Sequence, residues 1–280
     1  MSFSSEIKEK LCREHGRCVN CKNACLSGVF EFAGRKNGDE IRFVTENEYV
    51  ADYIADAVYD SKSVRYVKGV RDCRFFLDSS GSIMKEITAW EKSASSCCFR
   101  SYVRGAFLGG GSVTDPKSAY HLEFVTRYDE QAKKLAGILN DSGIAAKITR
   151  RKGLYTVYIK ECEAIADALG LMGAHGGGLE LYSVQVEKEL RNRINRRVNC
   201  ETANTDKTAR AASKQIAAIR KIKDAGKWES LPETLKEMGE LRAENPDVSL
   251  KELGDMTNPP IGKSGVNHRL DRLIKFADSL

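Results

Sequence analysis

The stretch RGAFLGGGSVTDPKSAYHLEF (residues 104–124) decides how this chain is read. A hydrophobic run meets Gly109, Gly110 and Gly111; Ser112, the turn Asp115-Pro116 and a strand-like segment follow. A helix that ends on three glycines either crowds another backbone or offers its main-chain N–H groups to a ligand. The stretch alone leaves both open.

A second copy of the pattern favours the first. LSGVFEFAG (26–34) aligns with VRGAFLGGG (103–111), setting Gly28 against Gly105, Phe30 against Phe107 and Gly34 against Gly111. Just upstream, Cys21 meets Cys98. Downstream, RFVTENEYVADYI (42–54) matches EFVTRYDEQAKKL (123–135), and RYVKGVRDCRFFLD (65–78) matches KITRRKGLYTVYIK (147–160). The last pair reads as two short strands around tight turns, at Gly69 to Asp72 and at Lys152-Gly153.

Each copy therefore reads helix, strand, strand, helix, strand, strand, helix, with the final helices beginning near Ser82 and Glu161. Helices on one face of antiparallel sheets make an α+β duplication with a pseudo-two-fold axis. Gly28, Ala33 and Gly34, with Gly105, Gly109, Gly110 and Gly111, fall on the two helices expected at that axis. The favoured reading is a tight helix–helix seam, not a phosphate cradle.

The 280 residues allow two domains, or one with an appendage. With 41% hydrophobic and 30% charged residues, the composition is that of an ordinary globular protein. A formal charge of +6 and a pI near 8.7 suit nucleic acid without requiring it. No stretch approaches the ~18 apolar residues of a membrane span, and MSFSSEIKEKLCREHG lacks a signal-peptide core. The expected location is the cytoplasm, where the nine cysteines are thiols or ligands rather than disulfides.

The C-terminal segment reads as three helices. Ser230 with Glu233 and Ser249 with Glu252 have the spacing of capping boxes. The first helix stops at Asn245-Pro246, the second (SLKELGDM) meets the turn TNPPIGKSG, and Ser264 is placed to cap the third, VNHRLDRLIKFADSL. On that helix Val266, Leu270, Leu273, Ile274 and Ala277 form one apolar stripe. Lys263, Ser264, Asn267, His268, Arg269 and Arg272 face the other way. In a helix-turn-helix this face enters the major groove, where Asn and Arg bond base edges while Lys and Ser suit phosphates. Ser249 and Lys251, at the start of the preceding helix, complete the candidate DNA-facing set.

Between these parts, Lys188, Arg191, Arg193, Arg196 and Arg197 crowd a short stretch. Ala209, Ala212, Ile216 and Ile219 follow with amphipathic-helix spacing. A solvated linker and a sequence-blind, phosphate-tracking arm are both compatible with this pattern.

HGRCVNCKNAC places His15, Cys18, Cys21 and Cys25 close together, and Cys-x₂-Cys is metal-ligand spacing. No second Cys-x₂-Cys follows, and the recurrence of Cys21 as Cys98 equally fits a small buried residue beside the motif helix. No metal and no cofactor are therefore expected, with those four residues the secondary candidates. Cys73, Cys97, Cys162 and Cys200 are read as structural, and His121 and His175 have no evident partners.

At Leu26 to Gly34 and Val103 to Gly111 the chain resembles the LAGLIDADG homing endonucleases. That resemblance implies paired central helices, each ending in an acidic residue that holds divalent metal. Those acidic positions fall on Ala33 and Gly110, which cannot ligate. Glu31 points about 200° round the helix from Ala33 and cannot simply substitute. Asp115 follows only the second copy.

Over essentially the whole chain the sequence resembles the WhiA family of bacterial regulators. The resemblance is carried by CCFRSYVRGAFLGGGSVTDPKSAYHLEF (97–124), NRRVNCETANTDKTARAA (195–212) and PPIGKSGVNHRLDRL (259–273). It implies a degenerate LAGLIDADG-like domain followed by an all-α helix-turn-helix domain that binds promoter DNA. It also implies control of sporulation or cell-division genes, nucleoid association, and, in actinobacterial relatives, a WhiB-like iron–sulfur partner. The expected organisation is a duplicated domain over 1–185 (repeats about 18–92 and 95–172), a basic linker or helix over 186–227, and the DNA reader over 228–280. The resulting expectation is a regulator, not an enzyme. An active endonuclease and a sequence-blind nucleoid protein are the alternatives.

Overall fold

A computed structural model of the chain describes residues 2–59 and 63–280. The chain divides into two compact units, Met1–Glu189 and Leu190–Leu280.

The first unit opens with α1 (Phe3–Cys12), which buries Phe3, Ile7 and Leu11 along one face. The first copy follows as α2 (Val19–Ala33), β1 (Arg35–Asn37), β2 (Glu40–Thr45), α3 (Glu48–Val58), β3 (Val64–Lys68), β4 (Cys73–Asp78) and α4 (Ser82–Ala89). The second repeats it as α5 (Ser96–Gly110), β5 (Gly111–Val113), β6 (Leu122–Thr126), α6 (Asp129–Asp141), β7 (Lys147–Arg151), β8 (Leu154–Ile159) and α7 (Cys162–Met172). The sheets share one topology, β1-β2-β4-β3 and β5-β6-β8-β7, antiparallel throughout. The duplicated α+β architecture read from the sequence is the architecture of this unit.

Alternation along the strands sets the sheet faces. On β4, Cys73, Phe75 and Leu77 are buried, while Arg74 and Asp78 are exposed and Phe76 is half-buried. Phe43 lies opposite Phe75 across β2 and β4, as Phe124 lies opposite Val157 across β6 and β8. On the outward face Arg65 and Arg42 sit over the Phe76 ring, 4.6 and 5.8 Å from its centroid.

The three glycines do three different jobs. A Cβ on Gly109 would stand 2.6 Å from the Val29 carbonyl oxygen of α2. One on Gly110 would stand 2.5 Å from the Val125 carbonyl oxygen of β6. Gly111 is where α5 becomes β5, and its Cβ would strike the Phe107 ring at 2.4 Å. Two further glycines bring α2 and α5 together: a Cβ on Gly105 would lie 1.8 Å from the Cys25 carbonyl oxygen, and one on Gly28 2.3 Å from that of Tyr102. Gly34 ends α2 against its own last turn, and Ala33 is half-buried at the corresponding end. At Gly28, Gly105 and Gly109 the backbones of α2 and α5 lie against each other, so only hydrogen fits.

Arg104, next to Gly105 on α5, is buried. Its Nε donates to the Met172 carbonyl (2.9 Å) and its Nη1 to that of Glu14 (2.7 Å). The guanidinium thereby satisfies a carbonyl at the end of α7, which has no helical partner of its own.

From His175 the chain continues as α8 (His175–Asp224), helical through the stretch where the sequence allows a linker or a helix. The second unit adds α9 (Glu233–Glu244), α10 (Leu250–Asp255) and α11 (Lys263–Asp278). Its core joins Ala218, Ile219 and Ile222 of α8 to Leu235 and Met238 of α9, Leu253 of α10, and Val266, Leu270, Leu273 and Ala277 of α11. The apolar face of α8 differs from the expected one at its start. Ala212 is buried, but Ala209 is exposed, because the buried face carries Gln215 and runs on to Ile222.

Two expected caps are absent for local reasons. Ser230 lies in a short 3₁₀ turn and donates to the Lys227 carbonyl (2.7 Å), while Pro232 occupies the N-cap of α9. Ser264 is already inside α11, whose N-cap is Gly262. The capping box at Ser249 and Glu252 is present in full.

Candidate nucleic-acid interface

α10 and α11 form the helix-turn-helix. Gly254 fixes the turn between them: a Cβ there would lie 2.1 Å from the Ile261 carbonyl oxygen, and the Ile261 N–H donates to the Gly254 carbonyl (3.0 Å). Thr257 Oγ1 lies 2.9 Å from the Gly254 oxygen and 3.0 Å from that of Pro259. Arg242, almost fully buried, sets the start of α10 by donating from Nη1 to the carbonyls of Asn245, Pro246 and Val248. A charged side chain folded back onto three carbonyls has no signature in residue spacing.

On α11, Lys263, Ser264, Asn267, His268 and Arg272 are exposed on the face away from the core. The helix begins without a side-chain cap, which leaves its first N–H groups to solvent or a ligand. Asn267 Nδ2 donates to Asp271 Oδ2 (3.0 Å), an exposed hydrogen bond that a base edge can replace. Arg269 is placed otherwise: half-buried, with its Nη1 3.5 Å from Glu237 Oε2 on α9. It serves the packing between α9 and α11 first.

Lys263 and Asn267 meet Ser249 and Lys251 of α10, and Lys207 of α8, around one groove of about 700 Å³. Arg191, Arg193, Arg196 and Arg197 are all exposed on α8. At about 100° per residue, Arg193, Arg196, Arg197 and Lys207 fall within about 100° of one another, with Arg191 on the far side. The basic face of α8 thus leads along the helix to the groove.

Ala33 and Gly110 occupy the positions where the resemblance calls for acids. Glu31 is engaged elsewhere: it accepts from Tyr102 Oη (2.6 Å) and Ser27 Oγ (2.8 Å), and Lys134 Nζ lies 3.2 Å away. Burial first, and Glu31 second, hold the Tyr102 hydroxyl well above its ordinary pKa. Asp115 turns back on its own loop, accepting from the Lys117 N–H (2.8 Å).

The cysteines are arranged differently from the expectation. Cys18 and Cys21 lie with Cys97 and Cys98, their Sγ atoms all within 4.8 Å of one another. Cys25 is instead buried in the unit, where desolvation pushes its thiol up, and His15 sits outside this group. The difference has a physical cause: the seam brings the start of α5 beside the start of α2, so the partners of Cys-x₂-Cys come from the other copy. Cys97, read as structural, lies in this group of four, and Cys200 is exposed on α8. Cys73 and Cys162 are buried. His121 does have partners, Glu123 Oε2 at 3.2 Å and the stacked ring of Tyr158.

The fold and its groove define a class: a duplicated LAGLIDADG-type α+β unit followed by a helix-turn-helix unit. Residues 99–191 match the model of the WhiA LAGLIDADG-like domain, and residues 194–277 that of the WhiA C-terminal HTH domain. The chain is 40% identical to a probable cell division protein WhiA of Alkaliphilus metalliredigens, over 99% of this chain and 98% of the relative. It is 38% identical to the protein of that name in Clostridium novyi, over 100% and 98%. A crystal structure of full-length DUF199/WhiA from Thermatoga maritima matches with a TM-score of 0.65 and 28% identity, over 100% of this chain and 99% of that one. The chain belongs to the WhiA family. Among the described residues no helix is long and apolar enough to cross a membrane.

Proposed function

We propose that this protein is a sequence-specific DNA-binding regulator, without nuclease activity, acting on promoters of cell-division or sporulation genes. The single observation that carries the reading is the groove where Lys263 and Asn267 of α11 meet Ser249 and Lys251 of α10 and Lys207 of α8. It combines an amide able to bond a base edge with cations and an open helix start suited to phosphates. The names of the WhiA relatives support the assignment to cell division.

The loss of both motif acids supports the absence of cleavage. A hard divalent cation needs oxygen ligands, and Ala33 and Gly110 supply none. Glu31 is held by Tyr102, Ser27 and Lys134. The protein would then work at the nucleoid, held first by phosphates and then by sequence.

The test mixes full-length protein with fragmented genomic DNA and Mg²⁺, then sequences what is retained and measures its length. A few fragments sharing a sequence, retained at unchanged length, are expected. Shortened fragments would show a nuclease. Intact but indiscriminate retention would show a sequence-blind nucleoid protein.

A further inference from the structure

We propose that Cys18, Cys21, Cys97 and Cys98 bind one zinc ion, which clips together the N-terminal ends of the two motif helices. The four Sγ atoms lie within 4.8 Å of one another. Cys18 Sγ is 3.5 Å from that of Cys21, 3.4 Å from that of Cys98 and 3.6 Å from that of Cys97. Four thiolates about 2.3 Å from a tetrahedral zinc stand about 3.8 Å apart, so small outward movements admit the ion. An all-thiolate tetrahedral set selects zinc or iron over the hard cations. An iron–sulfur cluster interposes several atoms between its thiolates, whereas this spacing fits a single ion.

The backbone supports the same geometry from both sides. Cys18 is the N-cap of α2 and Cys21 lies in its first turn, with the Cys21 N–H donating to the Cys18 carbonyl (3.1 Å). The second copy repeats this, with Ser95 as N-cap of α5 and the Cys98 N–H donating to the Ser95 carbonyl (2.9 Å). The duplication therefore places two equivalent turns face to face. Cys18 supplies a ligand where its counterpart is Ser95, and Cys97 supplies the fourth. Gly16 lets the incoming loop close on this point, since a Cβ there would lie 2.2 Å from that of Cys21.

Zinc uptake displaces up to four protons from the thiols to solvent and leaves a site of net charge −2. Two helix N-termini point toward that charge and stabilise it. Arg17 and Arg100, both exposed, line a pocket with Cys97 and supply countercharge. Cys21 and Cys98 are buried, Cys97 is half-buried and Cys18 is exposed, so the ion would sit at the surface end of the seam. The clip holds together two segments distant in sequence without a disulfide, which suits a reducing compartment. Its role is structural: all four positions are filled by protein, with none left for a substrate.

The test uses full-length protein without a histidine tag, purified under reducing conditions and analysed for metal by mass spectrometry. One zinc per chain is expected. The double variant Cys18→Ser/Cys97→Ser should lose it, whereas Cys200→Ser should keep it. If the double variant does not fold, the wild type decides. A thiol-reactive mercurial should release its zinc, chelation should lower its Tm, and zinc chloride should restore it. Cobalt(II) added to the chelated protein should give thiolate charge-transfer and tetrahedral ligand-field absorption. The proposal is overturned by protein that neither carries zinc nor takes it up from zinc chloride. It is equally overturned by full zinc content in a folded double variant, or by iron in place of zinc.

Discussion

At the scale of the residue, Asn267 carries the proposed contact with DNA and Gly105 the packing of α2 against α5. Asn267 is exposed on the outer face of α11, and its proposed role is to read a base. Asn267→Ala should narrow the gap between matched and mismatched sites by about 1–3 kcal/mol, roughly 5–150-fold. Competition binding measures this, and an equal loss on every sequence would reassign Asn267 to a phosphate. Gly105 has the Cys25 carbonyl oxygen where a Cβ would be. Gly105→Ala should therefore destabilise the first unit by about 1–3 kcal/mol or more. Gly137, exposed on α6 with nothing beyond its own helix backbone within 4 Å of where a methyl would stand, gives the opposite case. Gly137→Ala should stabilise by about 0.5–1 kcal/mol. Thermal denaturation compares the two, and similar shifts would refute the close approach of the two backbones. Gly28 and Gly105 were legible as seam glycines because the pattern occurs twice; that Gly34 and Gly111 pack against their own helices, and Gly110 first against β6, was not. The burial of Arg104, Arg242 and half of Arg269 was not, since a cation reaching carbonyls and one reaching water occupy identical positions in a periodic pattern.

At the scale of the element, α10 opens on a capping box and α8 carries a row of exposed arginines. Hydrogen bonds from the Ser249 side chain and backbone hold the Glu252 carboxyl below its ordinary pKa. A carboxyl depressed in the folded state contributes stability above its unfolded pKa and loses it as pH falls through the folded one. The Tm difference between wild type and Glu252→Gln should accordingly be largest near neutral pH and vanish in acid; a difference independent of pH would refute it. On α8, replacing Arg193, Arg196 and Arg197 by Ala should weaken binding to all sequences alike. The slope of log K against log salt should fall by about 0.9 for each phosphate no longer neutralised. An unchanged slope would leave these arginines as a solvated face. The helices of the second unit were legible from apolar spacing and Pro246, but two of their caps were not. Ser230 and Ser264 have the right neighbours, and a 3₁₀ turn and an earlier helix start displaced them. The cysteine group was half legible: Cys-x₂-Cys stands out locally, whereas Cys97 and Cys98 become its partners only once α2 and α5 are paired.

At the scale of the whole molecule, the chain is one duplicated unit and one helical unit. The first is a duplicated LAGLIDADG-like unit whose paired helices end at Ala33 and Gly110. The second presents exposed Lys263 and Asn267 beside an open helix start. Fold and domain order could be read from the chain because a repeat and an apolar period are properties of sequence. The groove could not, since Lys207 joins Ser249, Lys251, Lys263 and Asn267 only through packing of α8 against the bundle. The most direct test is a binding titration in Mg²⁺ of wild type and Lys263→Ala/Asn267→Ala on a selected genomic site and a scrambled one. Wild type should prefer the selected site, the double variant should bind both weakly and nearly equally, and all DNA should stay intact. Undiminished preference in the double variant, or cut DNA, would contradict a groove that reads sequence without cleaving it.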